Sequence, residues 1–169
     1  MENYAGLIRL RIFRGVNLAI RDSRSSDPYA TVTMGDKKLK TRVVRSNCNP
    51  EWNDELTLCV SDHHLPIQLA VYDEDSFTKD DKIGEANIDI KPYLDCLKNK
   101  SLKISSEDGT IVARVQPSKH NDLAKESCIF WKSGKLLQDM TLRLKNVECG
   151  EVDLQIEWID LPGSTSKAR

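Results

Sequence analysis

Several features that would point to a particular class of protein are missing from this 169-residue chain. Its formal net charge is −1, so no global field attracts nucleic acid or an acidic membrane, and any such attraction must be local. No apolar run approaches the roughly 20 residues that a membrane-spanning helix needs. The first residues show neither a secretory signal nor a glycine at the second position for myristoylation. We expect a soluble, cytoplasmic protein without a nucleic-acid partner, whose membrane contact is peripheral.

Motifs for catalysis, zinc binding and disulfides are also missing. The five cysteines are odd in number and show no Cys-x-x-Cys spacing, which favours free thiols in a reducing compartment. Of three histidines, His63 and His64 stand in a polar stretch beside Asp62, where solvation is the simpler interpretation. The chain has no P-loop, no nucleophile elbow and no His-Glu-x-x-His motif. We predict that it is not an enzyme.

Alternation of apolar and polar residues is the dominant pattern that is present. Ile8, Leu10 and Ile12 alternate with arginines, and the same period of two recurs at 140–145 and 151–158. Such segments bury one face and expose the other, as in antiparallel sheets. Further strands, separated by Gly, Pro, Asn and Asp turn signals, are predicted at 28–35, 38–45, 55–60, 67–73 and 83–90. The predicted fold class is all-β, an eight-stranded antiparallel β-sandwich.

One part of the sequence interrupts this pattern. The segment that starts at Lys91 predicts a short helix with a proline in its first turn. Weaker strand signals follow at 102–104, 111–115 and 128–131. Because 91–135 is too short for a good core of its own, we interpret it as a small α/β insertion in a domain that spans 1–160. The polar tail, 161–169, is expected to be disordered.

Five aspartates form two clusters, each where an alternating segment ends and a loop begins: Asp22 and Asp27, then Asp73, Asp75 and Asp81. Carboxylates repel one another, so a fold that gathers five needs a cation, a basic partner or full hydration. Calcium takes six to eight oxygen ligands in flexible geometry, whereas magnesium prefers a tight octahedron and keeps its waters. A single aspartate would be explained by its preference for turns. The spacing of all five favours Ca²⁺, with help from the carbonyls of Arg21 and Glu74.

The sequence around these aspartates is Ser-Asp-Pro-Tyr at 26–29 and Tyr-Asp-Glu-Asp at 72–75. In these motifs the chain resembles the C2 domain, a calcium- and phospholipid-binding β-sandwich. The resemblance implies side-chain ligands from Asp22, Asp27, Asp73, Asp75 and Asp81, and main-chain ligands from Arg21 and Glu74. It also implies the second of two circularly related C2 topologies. In that topology the chain starts with the strand that leads into the first calcium loop. The strand that precedes it in the other topology lies at the end of the chain instead, and 150–158 resembles that strand.

Membrane contact is expected beside this site. Calcium would reverse the negative charge of the loop tips and could coordinate lipid phosphates. Phe77 either dips into the membrane interface or belongs to the core; the sequence leaves both open. The basic neighbours Arg21, Arg24 and Lys79 would attract an anionic surface, each by about 1 kcal/mol.

A basic strand provides a second lipid candidate. Lys38, Lys40 and Arg42 share one face, which Lys37 and Arg45 extend. An ordinary solvated face is the alternative, but in C2 domains this strand resembles a polybasic groove for phosphoinositide headgroups. The predicted lipid-binding residues are Lys37, Lys38, Lys40, Arg42, Phe77 and Lys79. In the adjacent Asn-Pro-Glu-Trp-Asn turn, Trp52 is interpreted as structural.

A narrower resemblance covers nearly the whole chain. Lys-Leu-Lys-Thr-Arg, Asn-Pro-Glu-Trp-Asn, Asp-Ile-Lys-Pro-Tyr, Gly-Lys-Leu-Leu-Gln-Asp and Val-Glu-Cys-Gly-Glu-Val follow one another in order. Together they resemble the plant C2-domain abscisic-acid-related proteins, which carry a single C2 domain with a plant-specific insertion.

This resemblance implies calcium-dependent recruitment of abscisic-acid (PYR/PYL-type) receptors to the plasma membrane, and positive regulation of abscisic acid signalling. It also implies stimulation of the GTPase and ATPase activity of an Obg-like ATPase, with residence in the nucleus as well as at the membrane. The alternative function is that activation of the nucleotidase is primary and membrane binding is secondary. By the family's pattern, the insertion would carry the partner contacts.

Overall fold

The computed structural model describes residues 6–21, 26–60, 66–99 and 107–161. Over these ranges the chain forms ten strands and one helix. In chain order they are β1 Gly6–Val16, β2 Pro28–Met34, β3 Lys37–Lys40, β4 Glu51–Val60, β5 Ile67–Asp73, β6 Asp81–Ile88, α1 Lys91–Lys98, β7 Ile111–Val115, β8 Ser127–Lys132, β9 Lys135–Arg143 and β10 Glu151–Asp160.

Two antiparallel sheets pack against each other. One has the order β4-β1-β10-β9-β8-β7 and the other the order β3-β2-β5-β6. Without β7 and β8 each sheet has four strands, which is the predicted eight-stranded sandwich; β7 and β8 extend the larger sheet beyond β9. The first and last strands are neighbours, with Gly6 paired to Asp160, as the second C2 topology requires. The predicted fold class is confirmed.

The core lies between the sheets and follows from the alternation. The alternating apolar residues at the centre of β1 and β10 are at most 1% exposed, and the polar residues between them are partly exposed; the buried residues are Ile8, Leu10, Ile12, Val152, Leu154 and Ile156. Full burial of one such aliphatic side chain contributes about 1.5–3 kcal/mol. Trp52 is also buried, and its indole N–H donates a hydrogen bond to the Pro28 carbonyl at 3.0 Å. It therefore ties β4 to the start of β2.

The helix of the predicted insertion shares this core. Tyr93 and Leu94 of α1 are buried in the same cluster as the sandwich residues. The Tyr93 hydroxyl donates to the Leu136 carbonyl of β9 at 2.6 Å and accepts the Trp158 N–H of β10 at 2.8 Å. Strong burial raises the pKa of Tyr93, so it remains a neutral donor. The predicted strand signal at 102–104 lies outside the described residues.

Two strand boundaries were predicted wrongly. The strand predicted at 55–60 begins at Glu51, so it includes part of the predicted Asn-Pro-Glu-Trp-Asn turn. The segment 38–45 was expected to form a strand, but β3 ends at Lys40. The next residue, Thr41, turns its hydroxyl back to accept the Ala30 N–H at 2.9 Å. The Arg42 N–H then binds the carboxylate of Asp54, on β4 in the other sheet, at 2.7 Å. The chain leaves the smaller sheet because these contacts lead it toward the larger one.

Candidate calcium and lipid site

Three loops meet at one end of the sandwich: loop one (17–27, of which 17–21 and 26–27 are described), loop two (41–50) and loop three (74–80). Backbone hydrogen bonds join them. The Leu18 N–H of loop one donates to the Cys48 carbonyl of loop two at 2.9 Å, and the Asn47 N–H of loop two donates to the Ser26 carbonyl at 3.1 Å. The Glu74 N–H of loop three donates to the Asp27 carbonyl at 3.0 Å.

The strand register brings three predicted ligands to this end. Asp73 ends β5 and pairs in register with Pro28 on one side and with Asp81, the first residue of β6, on the other. Asp73 is only 2% exposed, and its Oδ1 accepts the Asp27 N–H at 2.8 Å. The buried carboxylate therefore links loop one to the start of loop three.

Asp75 and Asp27 accept hydrogen bonds from the backbone. Asp75 Oδ1 accepts the N–H groups of Phe77 at 2.9 Å and of Thr78 at 3.3 Å. These bonds, first of all that from Phe77, lower the pKa of Asp75. Asp27 Oδ1 accepts the Ser46 N–H of loop two at 2.8 Å. Both carboxylates are thus used to fold the loops.

The side chains do not converge on one point as the loops stand. Within 6–21, 26–60, 66–99 and 107–161, no three His, Cys, Asp or Glu side chains are grouped closely enough to hold a metal ion. Asp22, a predicted ligand, lies outside the described residues, as does Arg24. In kind, the neighbouring donors fit calcium, because carboxylates and main-chain carbonyls are the hard oxygen ligands that it prefers.

Two arginines lie against this acidic end. Arg45 of loop two, predicted to extend the basic strand, instead places Nη1 3.7 Å from Asp27 Oδ2 and Nη2 3.6 Å from Glu74 Oε2. Arg21 of loop one donates two hydrogen bonds to Glu148, with Nη1–Oε1 2.7 Å and Nη2–Oε2 2.9 Å. The hydrogen bond from Arg21 lowers the pKa of Glu148 to about 2. Sequence reasoning missed both partnerships.

Asp80 has a structural role that the sequence did not reveal. In the structure its Oδ2 accepts the Tyr29 hydroxyl at 2.5 Å and its Oδ1 accepts the Asp75 N–H at 3.0 Å. The bond from Tyr29, and next that from Asp75, lower the pKa of Asp80. Asp80 therefore ties loop three to β2.

The basic strand lies over a pair of tyrosines. Tyr29 of β2 and Tyr72 of β5 are opposite in register and stack with ring centroids 5.6 Å apart. Lys38 Nζ is 5.5 Å from the Tyr72 ring and Lys40 Nζ is 5.8 Å from the Tyr29 ring. We call these four residues the lysine–tyrosine face. Each tyrosine belongs to one of the two aspartate motifs. That position in the sequence was the signal from which their place beside the calcium end could have been predicted.

The other predicted lipid residues differ in how available they are. Phe77, at the tip of loop three, is 96% exposed, which removes the alternative of a core residue. Lys37 and Lys79 are exposed. Arg42 lies beyond β3, and its guanidinium is paired with Asp54, with Nη2–Oδ1 2.8 Å. Loop one adds Ile20, 57% exposed, which the sequence analysis did not single out.

Comparison with known proteins agrees with this architecture. The family model described as C2 domain matches residues 6–106. Protein C2-DOMAIN ABA-RELATED 4 of Arabidopsis thaliana is 56% identical over 164 residues, covering 97% of this chain and 92% of the relative. GTPase activating protein 1 of Oryza sativa subsp. japonica is 52% identical over 164 residues, covering 97% of this chain and 98% of the relative.

Solved structures show the same fold. The calcium-bound structure of the paired C2 domains of Extended-Synaptotagmin 2 matches with a TM-score of 0.65 at 21% identity, covering 95% of this chain and 48% of that longer one. A C2 domain of plant Extended Synaptotagmin 1 matches with a TM-score of 0.62 at 18% identity, covering 94% of this chain and 98% of that chain. At such identities the likeness concerns the fold alone.

In the described part of the chain α1 is the single helix, and it is not long and apolar enough to cross a membrane. The family-model match, the β-sandwich and the identity with named relatives over nearly the full length lead to one conclusion. The chain belongs to the C2-domain ABA-related family and carries a single C2 domain.

Proposed function

We propose that this protein is a calcium-dependent phospholipid-binding regulator that docks on anionic membranes with loops one to three. The observation that carries the proposal is the position of Asp73. Its buried carboxylate joins loops one and three, at the end of the sandwich that also presents the exposed Phe77. Calcium ligands and an apolar tip on the same loops allow ion binding to control membrane contact.

The proposed ligands are the carboxylates of Asp22, Asp27, Asp73, Asp75 and Asp81 and the main-chain carbonyls of Arg21 and Glu74. Asp22 enters this set from the sequence alone. Bound calcium would supply positive charge at the loop tips and open coordination positions for lipid phosphate oxygens. The chain's own part is to position the carboxylates. The β5–β6 register pairs Asp73 with Asp81, and the Asp27 N–H donates to Asp73 at 2.8 Å.

Without calcium the loop end is unsuited to an anionic surface. Its carboxylates repel phosphate headgroups, and two arginines at this end, Arg45 and Arg21, are already paired with carboxylates. Neutralising the aspartates removes this repulsion. Phe77 and Ile20 then offer apolar side chains to the interface, and Lys79 adds about 1 kcal/mol near an anionic surface.

The lysine–tyrosine face favours a phosphoinositide as one of the lipids. Lys38 and Lys40 hold two ammonium groups above stacked tyrosine rings, so a phosphorylated inositol ring could meet both charge and an aromatic surface. Lys37 lies exposed beside them. Arg42 remains the weakest proposed member, because Asp54 already neutralises it.

Binding of the loops to anionic lipid is tested by liposome sedimentation in calcium and in chelator. We expect the wild-type chain to sediment only with calcium, and the Asp22→Ala/Asp27→Ala variant to remain in the supernatant in both. Asp139→Ala/Asp153→Ala, which removes two carboxylates from β9 and β10, is the matched control. Equal sedimentation of the wild type and the loop variant would contradict the proposal.

The relatives' names motivate the proposed partners. The Arabidopsis relatives are named for abscisic acid and the rice relative for GTPase activation. We propose that the membrane-docked protein recruits abscisic-acid receptors to the plasma membrane, and that it stimulates an Obg-like ATPase, including in the nucleus. The insertion, 91–135, is the proposed contact region. Its helix α1 and the exposed Ile111 lie toward the end of the sandwich opposite the three loops, so a partner there would not compete with the membrane.

The second candidate function, nucleotidase activation as the primary role, is separable from membrane docking. Its test is the hydrolysis rate of an Obg-like ATPase with the wild-type chain and with the Asp22→Ala/Asp27→Ala variant, in the absence of lipid. If activation is primary, the variant should stimulate hydrolysis as well as the wild type does. No stimulation by either chain would remove this candidate and leave the membrane proposal standing.

A further inference from the structure

A fourth loop supports the calcium end. The buttress loop (144–150) connects β9 to β10 and closes on itself, with the Leu144 N–H donating to the Gly150 carbonyl at 3.0 Å. It packs against loop one: Leu18 is 2% exposed and lies so close to Gly150 that a Cβ there would be 3.4 Å from Leu18 Cδ2. The position of loop one is therefore set partly by the buttress loop.

The polar link between the two loops is the pair of Arg21 and Glu148. Both terminal nitrogens of the guanidinium meet both carboxylate oxygens, at 2.7 and 2.9 Å. Such a bidentate pair fixes the direction of the arginine side chain as well as its charge. Because both groups are substantially exposed, the pair adds little to global stability. What the pair does is local: it holds the Arg21 side chain of loop one in one direction.

Arg21 stands where a misplaced cation would interfere. It directly precedes Asp22, and its own carbonyl is a proposed ligand. Among the groups that raise the pKa of Arg21, Glu148 comes first, and Asp81 of the calcium end also acts on it. If Glu148 lost its charge, the guanidinium would be drawn to the carboxylates of the calcium end.

We infer that Glu148 is a positioning residue that keeps the Arg21 guanidinium out of the calcium site. This inference rests on the proposed function, since it concerns the same ligands. It differs from a role in folding, because the pair joins exposed side chains, and from a ligand role, because Glu148 faces Arg21. Calcium affinity thus depends on a carboxylate 127 positions away along the chain.

The test is a calorimetric calcium titration without lipid. We expect Glu148→Gln, which keeps the size and removes the charge, to weaken calcium binding about tenfold, the low end of what supporting residues contribute at metal sites. In Arg21→Gln/Glu148→Gln most of the lost affinity should return, because the competing cation is gone. The control Glu151→Gln, at the start of β10, removes the same charge from a partly exposed residue close by in sequence. It should change affinity by less than about twofold, since solvent and salt screen charges at the protein surface.

The outcomes separate the inference from the proposed function. Wild-type affinity in Glu148→Gln would overturn the inference alone. A double variant as weak as Glu148→Gln would also overturn it, because the defect would then not come from the guanidinium. A wild-type chain that binds no calcium would overturn the proposed function and the inference with it. Thermal unfolding in chelator checks that each variant is folded.

Discussion

The hydroxyl of Tyr29 lies 2.5 Å from a carboxylate oxygen of Asp80. This hydrogen bond joins the lysine–tyrosine face to loop three, because the other oxygen of Asp80 accepts the N–H of the proposed ligand Asp75. Burial raises the pKa of Tyr29, and the hydrogen bond to Asp80 raises it further. The tyrosine therefore stays protonated and remains the donor. The lysine–tyrosine face, loop three with Phe77, and the proposed ligand Asp75 are therefore connected by one set of hydrogen bonds.

Removing this hydroxyl tests the link. In Tyr29→Phe we expect weaker calcium binding, because Asp80 loses its anchor and loop three has more conformations to lose on binding. The loss of stability should be about 1 kcal/mol, as for a typical hydrogen bond. Calorimetry and urea unfolding measure the two effects. Tyr72→Phe, which removes the hydroxyl of the ring stacked on Tyr29 and leaves the bond to Asp80 in place, is the control; an equal effect of both variants would contradict the link.

Arg45 offers a second test of the calcium end. Its guanidinium lies beside the carboxylates of Asp27 and Glu74, so calcium must share the proposed ligand Asp27 with an internal cation. We expect Arg45→Gln to tighten lipid-free calcium binding by up to about fivefold, the scale of an exposed ion pair. Arg114→Gln, an exposed paired arginine on β7, is the matched control. Weaker binding in Arg45→Gln would show that Arg45 assists the site instead.

The lysine–tyrosine face is tested by lipid selectivity. Lys38→Gln/Lys40→Gln should lose about 2 kcal/mol of binding to vesicles that contain phosphoinositide. Binding to phosphatidylserine vesicles should fall much less, because the loops provide that contact. Lys119→Gln/Lys125→Gln, two exposed lysines of the insertion, is the control in vesicle flotation. An equal loss on both lipids would reduce the face to general electrostatic attraction.

Arg42 and Asp54 give a pH-dependent contribution to stability. The hydrogen bond from Arg42 lowers the pKa of Asp54 below its ordinary value. A carboxyl group with a lowered folded-state pKa stabilises the fold above its unfolded pKa, and this contribution disappears as the pH falls through the folded pKa. Asp54→Asn should cost no more than about 1 kcal/mol near neutral pH, since Arg42 is largely exposed.

Urea unfolding at several pH values measures this difference. Wild type and Asp54→Asn should converge at low pH, where the carboxyl is protonated in both states. Asp95→Asn, whose carboxylate lies 3.9 Å from Lys91, should show a smaller difference throughout. If the lower free energy of unfolding of Asp54→Asn persists unchanged at low pH, the loss comes from altered packing or hydrogen bonding rather than from the missing charge.

The sandwich could be predicted because its information is local. A period of two assigns residues such as Ile8 and Leu10 to the core whatever their distant partners are. The boundary of β3 was missed because it depends on Asp54, which lies on another sheet. The family motifs located Asp73 and Asp81, which the strand register does bring together.

The partners of the arginines could not be predicted for a related reason. Arg21 meets Glu148 across 127 positions of sequence, and Arg45 meets Asp27 only after loop two folds over loop one. Neither residue carries a periodic or motif signal. Charge alone assigned both to a membrane-facing set, whereas the fold pairs them with carboxylates.

The most direct test of the central claim is a calcium titration of the wild-type chain with and without anionic liposomes. If the loops form a calcium-controlled membrane site, the two ligands must strengthen each other by the same factor, because linkage between binding sites is reciprocal. We predict that anionic liposomes tighten calcium binding by the factor by which calcium tightens liposome binding. Calcium affinity that is the same with and without anionic liposomes would contradict the account.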